Sequence, residues 1–151
     1  MIRALFLVSF LILLSHSSWS QIRLLSNGIA EDLTYYDNGN IMEKGYFKNG
    51  NKAGKWVEYY ENKQRKSVKY YNEDGEPIGK WTTWYENGQK WNSVTYENGK
   101  VDGAWTYWYK NGSKWHQLSY DNGQLQGNWA YWRKSGEKAG KGIYKPDTTK
   151  S

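Results

Sequence analysis

The sequence predicts an all-β fold, an elongated, single-layer, twisted antiparallel β-meander built from about five hairpin repeats of 24 residues. First, tryptophans that stand two residues after a glycine recur at intervals of 25, 24 and 24, at Trp56, Trp81, Trp105 and Trp129. Second, turn motifs such as "DNG", "ENG" and "KNG" recur every 11 to 13 residues between residues 37 and 136. Third, the stretches between them are rich in Trp, Tyr, Thr and Val, which favour strands, and no apolar period of 3.6 residues is present.

Residues 1–20 are predicted to be a secretory signal peptide. "MIR" gives a positive start, residues 4–14 form an unbroken apolar run, and the small residues Ser18 and Ser20 precede Gln21. A run of this length is too short to span a hydrocarbon layer, which takes roughly 20 helical residues, so a cleaved signal is favoured over an anchor. We therefore expect cleavage before Gln21, an exported protein that is periplasmic, on the cell surface or secreted, and no transmembrane segment in the mature chain.

The remaining chain divides into a lead-in at residues 21–30, a repeat domain at residues 31–145 and a C-terminal tail at residues 146–151. The five copies fall at approximately 31–54, 55–79, 80–103, 104–127 and 128–151. Asp32 replaces the leading tryptophan in the first copy, and the last copy loses its second half, as is typical of the ends of repeat arrays. Two turn motifs per copy predict about ten strands.

The stretch "WYENGQKW" at residues 84–91 predicts the register of the central hairpin. Asn-Gly favours a two-residue type I′ turn, because both residues tolerate a positive φ. With Asn-Gly at the centre, Trp84 faces Trp91, and the related stretch "WYKNGSKW" sets Trp108 against Trp115. Directly opposed rings stabilise a hairpin by roughly 0.5–1 kcal/mol.

On this register, one row of aromatic side chains shares a sheet face and forms the candidate partner-binding surface. Its members are Tyr59, Trp84, Trp91, Trp108, Trp115 and Trp132. The Gly-x-Trp residues stand three positions earlier, so strand alternation places them on the opposite face. The alternative is that both rows only cover the sheet.

A glycine recurs two residues before each leading tryptophan. These glycines are Gly54, Gly79, Gly103 and Gly127. A recurring strand glycine marks a bulge or a close approach of the backbone. We expect it to leave room for a tryptophan ring that lies flat on the backbone.

The sequence offers no catalytic, cofactor-binding or metal-binding pattern, so no enzyme activity and no cofactor are expected. The chain has no cysteine, which excludes disulfides and cysteine metal sites. His116 is the only histidine outside the predicted signal, and one histidine cannot build a His-rich metal site. The acidic residues beside the turns stand on regular surface loops, whereas paired-carboxylate catalysis needs two of them in one cleft.

The formal net charge of +6 comes from 21 basic and 15 acidic residues that are scattered over the chain. Scattered lysines are typical of a solvated surface and do not favour nucleic-acid binding. Weak attraction to anionic envelope glycans, anionic lipid head groups or an acidic protein stays open.

The unit Gly-x-Trp-x-x-Trp/Tyr-Tyr-x-Asn-Gly-x-Lys resembles the repeat of the MORN repeat variant family, which includes YwqK-type antitoxins of bacterial toxin–antitoxin modules. The motif is clearest in "GKWTTWYENGQK", "GAWTYWYKNGSK" and "GKWVEYYENKQR", and the resemblance covers about residues 31–144. It implies an elongated sheet that binds partners. We therefore expect a non-enzymatic, exported protein-binding module with an antitoxin-like role toward a toxin as one option. The alternative is a cell-envelope glycan-binding or structural surface protein that uses exposed Trp and Tyr rows.

Overall fold

The computed structural model describes residues 10–14 and 18–145, and every regular element in them is a β-strand. The strands are β1 (Phe10–Leu14), β2 (Ser18–Leu24), β3 (Ile29–Tyr36), β4 (Ile41–Lys48), β5 (Asn51–Tyr59), β6 (Arg65–Tyr71), β7 (Gly79–Trp84), β8 (Lys90–Glu97), β9 (Lys100–Val101), β10 (Gly103–Trp108), β11 (Lys114–Asp121), β12 (Gln124–Leu125), β13 (Gly127–Trp132) and β14 (Lys138–Tyr144). They form one sheet in the order β1-β2-β3-β4-β5-β6-β7-β8-β10-β11-β13-β14, and the short β9 and β12 pair with β8 and β11. All of these pairings are antiparallel, and the predicted all-β meander of hairpins is confirmed.

At the N-terminus, β2 extends the sheet beyond β3. The two strands pair along the whole of β2, so residues 21–30, predicted as a lead-in, contribute to both. Trp19 stacks on Tyr35 with ring centroids 4.0 Å apart, and Ser20 donates a hydrogen bond of 2.9 Å to Asp32. The predicted cleavage before Gln21 therefore falls inside β2. The other parts of the predicted signal, at 1–9 and 15–17, and the predicted tail lie outside the described residues.

In the first, third and fourth copies, the second turn is the two-residue hairpin loop that Asn-Gly predicts. The second turn of the second copy is longer, because the backbone N–H of Gly75 donates to the carbonyl of Asn72 (3.2 Å). Between β8 and β9, Asn98 and Gly99 have φ angles of 49° and 77°, and Glu97 pairs with Lys100. Two successive residues with positive φ define the type I′ turn, whose twist matches that of the flanking strands.

The first turn of each repeat is longer, although in the first, third and fourth copies it also contains Asn-Gly. The backbone N–H of Gly88 donates to the carbonyl of Tyr85 (2.9 Å), and that of Tyr85 donates to the carbonyl of Gln89 (2.8 Å). Of Asn87 and Gly88, only the glycine has a positive φ, 82°. The loop is thus a type I turn followed by a left-handed glycine, the usual three-residue hairpin. The Asn87 side-chain oxygen favours this form, because it accepts the backbone N–H of Gln89 (3.2 Å).

This longer loop changes the register of the hairpin. Trp84 pairs with Lys90, and Trp91 becomes the extra residue of a β-bulge. The predicted opposition of Trp84 and Trp91 is therefore wrong. The second predicted pair is wrong for the same reason, because Trp108 pairs with Lys114 across an identical bulge.

Hydrogen bonds between successive repeats explain the second aromatic residue of the motif. A tyrosine hydroxyl donates to a backbone carbonyl 23 or 24 residues further on, at 2.6–3.0 Å. The pairs are Tyr36 with Tyr59, Tyr60 with Trp84, Tyr85 with Trp108 and Tyr109 with Trp132. Burial, and then the charge of Glu86, raises the pKa of Tyr60, so its hydroxyl keeps the proton that it donates.

The asparagine of the first turn makes a parallel bond to the next repeat. The side-chain amides of Asn87 and Asn111 donate to the carbonyls of Lys110 and Lys134, both at 2.9 Å. The same asparagine therefore caps its own turn and ties that turn to the following one.

Among the residues that the structure describes, Trp56 is the most buried large side chain, at 1% exposed. Its indole nitrogen donates to the carbonyl of Tyr46 (3.1 Å), and Phe47 packs against the ring with centroids 5.0 Å apart. The ring lies against Gly45, where a side-chain carbon would overlap the indole. The Trp56 ring therefore lies on a glycine, as predicted for this type of tryptophan. That glycine is Gly45 of the preceding strand, and not the glycine two residues before Trp56.

The glycine before each leading tryptophan has a different role from the one predicted. Gly103 has a φ of 82°, and no atom lies within 4 Å of the place that its Cβ would take. The predicted room for a ring is therefore wrong. Opposite residues 94–95 of β8 stand four residues, 102–105, so the chain between β9 and β10 contains two extra residues. Gly103 provides the change of backbone direction at this irregularity. The equivalent glycines also have positive φ angles, namely Gly54, Gly79 and Gly127 at 66°, 63° and 84°.

Candidate binding faces

The sheet has two faces that carry different aromatic rows, because successive side chains of a strand point to opposite sides. We call one the Gly-x-Trp face, after Trp56, Trp81, Trp105 and Trp129. We call the other the cationic face, which carries Tyr59, Trp84, Trp108 and Trp132, each three residues further along the same strand.

Trp91 and Trp115 lie on the Gly-x-Trp face. Tyr107 stacks on Trp105 with centroids 5.6 Å apart, which places Tyr107 on that face. The Tyr107 ring meets the rings of Trp91 and Trp115 edge-on, with centroids 6.5 and 6.2 Å away. The predicted single-face row of six residues is therefore wrong, and four of its members lie on one face and two on the other. The β-bulge is the cause, because its extra residue re-aims the side chains that follow the turn.

Three exposed aromatic side chains lie close together on the Gly-x-Trp face, and we call them the aromatic patch. Trp91 is 43% exposed, and Trp115 and Tyr131 are each 40% exposed. His116 connects two of them, because it stacks on Trp115 at 5.0 Å and meets Tyr131 edge-on at 6.0 Å. The sequence analysis missed Tyr131, although its place directly before Trp132 on a strand put it on the opposite face. Contiguous exposed rings of this kind are candidate interaction sites.

The N-terminal half of the same face carries ion pairs in place of exposed rings. Lys52 contacts Glu43 at 3.0 Å, and Glu58 binds Lys69 at 2.6 Å and Lys66 at 3.8 Å. Burial alone would raise the pKa of Glu58, but the hydrogen bond and charge of Lys69, with Lys66, hold it below its ordinary value. Burial alone would lower the pKa of Lys69, but Glu58 raises it. The lysines of this half are therefore compensated by carboxylates.

The Glu58 ion pair predicts a loss of stability in acid. A carboxyl whose pKa is lower in the folded state stabilises the fold above its unfolded value, 4.5, and this contribution is lost as the pH falls through the folded value. We expect Glu58→Gln to be less stable than the wild type at neutral pH, and its free energy of unfolding to fall less steeply below the unfolded pKa. Urea unfolding over this range measures both, with Glu86→Gln in an exposed turn as the control. Equal acid slopes for wild type and Glu58→Gln would contradict the assignment.

On the cationic face, aromatic rings and cations alternate from strand to strand. Arg65 lies over the ring of Trp84 at 5.6 Å, and Lys90 lies over Trp108, also at 5.6 Å. Two ammonium groups lie over the ring of Trp132 at 5.2 and 5.3 Å, from Lys114 and Lys138. We call these four residues, Arg65, Lys90, Lys114 and Lys138, the ladder cations. Cation–π contacts of this kind contribute about 0.5–1 kcal/mol each at exposed sites.

The ladder cations form no salt bridge with any residue that the structure describes. The two depressions along the face repeat this charge bias. The charged residues that line the first are Lys44, Lys55, Lys63, Arg65 and one acid, Glu31. The charged residues that line the second are Lys114, Lys138 and Lys141, and no acid lines it. The cationic face therefore carries positive charge that the described part of the protein does not neutralise.

Neither face gathers groups that could hold a metal ion. Within residues 10–14 and 18–145, no cluster of three or more His, Asp, Glu or Cys has that arrangement. His116 packs among aromatic rings, as described above. In the same two ranges there is no helix of the length and apolarity that crossing a membrane requires.

The family model of the MORN repeat variant matches three segments of the chain, residues 33–49, 77–98 and 101–122. No curated protein matches the chain. Each matched segment contains a first-turn glycine, Gly39, Gly88 or Gly112, with a φ of 80–87°. The unmatched hairpin between β5 and β6 has the same geometry, because Lys63 adopts a φ of 68° and donates its backbone N–H to the carbonyl of Tyr60 (2.9 Å). The structure thus extends the repeat through the segment that the family model leaves out.

Proposed function

Because the chain belongs to the MORN repeat variant family, we propose that it is a non-enzymatic repeat protein that binds a protein partner. The observation that carries this proposal is the aromatic patch of Trp91, Trp115 and Tyr131. Tryptophan and tyrosine are enriched among the residues that dominate the binding energy of protein interfaces.

The packing of the patch supports a role in binding. Each ring is more than half buried by its neighbours, and Trp115 is held between Tyr109 at 5.7 Å and His116 at 5.0 Å. A ring that is already held loses little conformational freedom when a partner covers it, which reduces the entropic cost of association. The outer surface of the rings is available for that contact.

We also propose that the protein is exported and, following its resemblance to antitoxins, that its partner is a toxin. The apolar run at residues 4–14 followed by small residues supports export. Removal of residues 1–20 leaves both aromatic rows in the mature chain, since their first member is Trp56.

Export makes a prediction about the start of the mature protein and about its stability. N-terminal sequencing of the protein from its native host is expected to begin at Gln21, and an intact N-terminus would contradict export.

A chain that begins at Ser18 is expected to be about 1–2 kcal/mol more stable than one that begins at Gln21, because it keeps the Trp19 stack and the Ser20 hydrogen bond. Thermal melts of the two chains measure the difference, and equal melting temperatures would show that these contacts add nothing.

The partner class is tested by capture from an extract of the native cell envelope. Immobilised wild type is expected to retain a protein that Trp91→Ala plus Trp115→Ala does not retain. The matched control is Tyr46→Ala plus Tyr144→Ala, which removes two comparably exposed rings outside the patch and is expected to retain the protein. Prior digestion of the extract with a protease is expected to abolish retention. Persistent retention after digestion, together with binding to purified envelope polysaccharide, would replace the proposal with the glycan-binding alternative.

A further inference from the structure

We propose that the cationic face is a second binding site, separate from the aromatic patch, for an acidic segment of a protein in the polyproline II conformation with an acidic residue at every third position. The site consists of the four ladder cations and the tryptophans between them, Trp84, Trp108 and Trp132. It goes beyond the proposed function, which rests on the aromatic patch of the other face.

The distance between successive ladder cations determines the distance between successive acidic side chains in the ligand. Arg65, Lys90, Lys114 and Lys138 come from β6, β8, β11 and β14, and one strand separates each from the next. Neighbouring strands lie about 4.8 Å apart, so the strand positions that carry successive ladder cations are about 9–10 Å apart. A polyproline II helix has three residues per turn and rises about 3.1 Å per residue, so every third side chain points the same way at about 9.3 Å. A β-strand ligand, whose side chains repeat on one face at about 6.6–6.8 Å, does not match.

The orientation of the rings favours a carboxylate ligand over a sugar. Trp132 lies in β13, between β11 and β14, and Lys114 and Lys138 reach its ring from those two strands. One cation also lies over each of Trp84 and Trp108, and these cations take the place over the ring in which a sugar would stack. The edge of an aromatic ring carries the positive part of its quadrupole. Ring edges and ladder cations therefore both attract anionic oxygen atoms.

The charge of the two faces separates this site from the rest of the sheet. Lys52, Lys66 and Lys69 of the Gly-x-Trp face are bound to carboxylates, whereas the ladder cations have no such partner among the described residues. A row of uncompensated like charges is an attractive field for a ligand of opposite sign, and it speeds association at low ionic strength. The partner segment must therefore be acidic.

The test uses the full chain and a fluorescein-labelled 15-residue peptide, (Pro-Pro-Glu)5, in an anisotropy titration. The comparison peptide has the same composition, with its five glutamates placed together at one end. The spaced peptide is expected to bind about tenfold more tightly, which is about 1.4 kcal/mol. Lys90→Gln plus Lys114→Gln is expected to weaken binding of the spaced peptide by about tenfold or more. The matched control, Lys110→Gln plus Lys134→Gln, removes the same charge from exposed turns and is expected to change it less than about twofold.

Equal affinities for the two peptides would overturn the spacing argument, and equal weakening by the two double variants would overturn the site. Tighter binding of an acidic polysaccharide, polygalacturonate, than of the spaced peptide would assign the face to glycans instead. The result is independent of the proposed function, since Lys90→Gln plus Lys114→Gln leaves the aromatic patch intact. Envelope capture by that variant, with no peptide binding by the wild type, would retain the proposed function and reject this second site.

Discussion

Trp56→Ala is expected to lower the free energy of unfolding by about 3–5 kcal/mol, the usual cost of truncating a buried tryptophan. Trp56 is 1% exposed and donates a hydrogen bond to the carbonyl of Tyr46. The glycine beneath its ring, Gly45, has no side chain that could fill the space left behind. Urea unfolding at neutral pH measures the loss.

Trp115→Ala provides the matched control, because Trp115 is 40% exposed and its ring lies at the surface. We expect Trp115→Ala to lower the free energy of unfolding by less than half as much as Trp56→Ala does. A smaller loss for Trp56→Ala than for Trp115→Ala would mean that the sheet is not anchored where the burial pattern places its core.

Gly103→Val is expected to destabilise the protein by about 2–3 kcal/mol, because a β-branched residue is forced into the left-handed region. Gly103 has a φ of 82°, and the space around its absent Cβ is open. Strain of the backbone, and not steric overlap, is therefore the expected cause. Thermal and urea unfolding both report it.

A second substitution separates backbone strain from steric overlap. Gly103→Asn introduces a side chain of about the size of valine, but asparagine tolerates a positive φ. We therefore expect Gly103→Asn to lower the free energy of unfolding less than Gly103→Val. At Gly45, where the Trp56 ring fills the space, even Gly45→Ala is expected to destabilise the fold by about 1–3 kcal/mol through overpacking. If Gly103→Asn costs as much as Gly103→Val, backbone strain is not the reason for the glycine.

The sequence was sufficient to predict the strands, the repeats and the separation of the two main tryptophan rows. Those features depend on local chemistry, namely turn residues, strand formers and strict alternation. Trp81 and Trp84 lie on opposite faces for the simple reason that three residues separate them on one strand.

The position of Trp91 could not be predicted in the same way, because it depends on which of two hairpin loops the Asn-Gly sequence adopts. The two-residue loop at Asn98 and the three-residue loop at Asn87 differ by one residue of register, and one residue moves a side chain to the other face. The contact of Asn87 with the backbone of Gln89 accompanies the longer loop. Local sequence did not reveal that preference, so the predicted site combined residues from both faces.

The side-chain hydrogen bonds that the first-turn tyrosines and asparagines donate to the next repeat all run in one direction, and this polarity bears on how such a chain changes length. Each hairpin donates through its tyrosine and asparagine to the next, whereas the last described hairpin has Arg133 and Ser135 at those positions, and Arg133 contacts Glu137 of its own turn (2.8 Å). A unit of 24 residues is even, so its removal or duplication preserves strand alternation. Excision of residues 80–103 would present to Tyr60 the same kind of acceptor that it now has. Gain or loss of one 24-residue unit by recombination therefore keeps both the hydrogen bonds between repeats and the alternation of side chains.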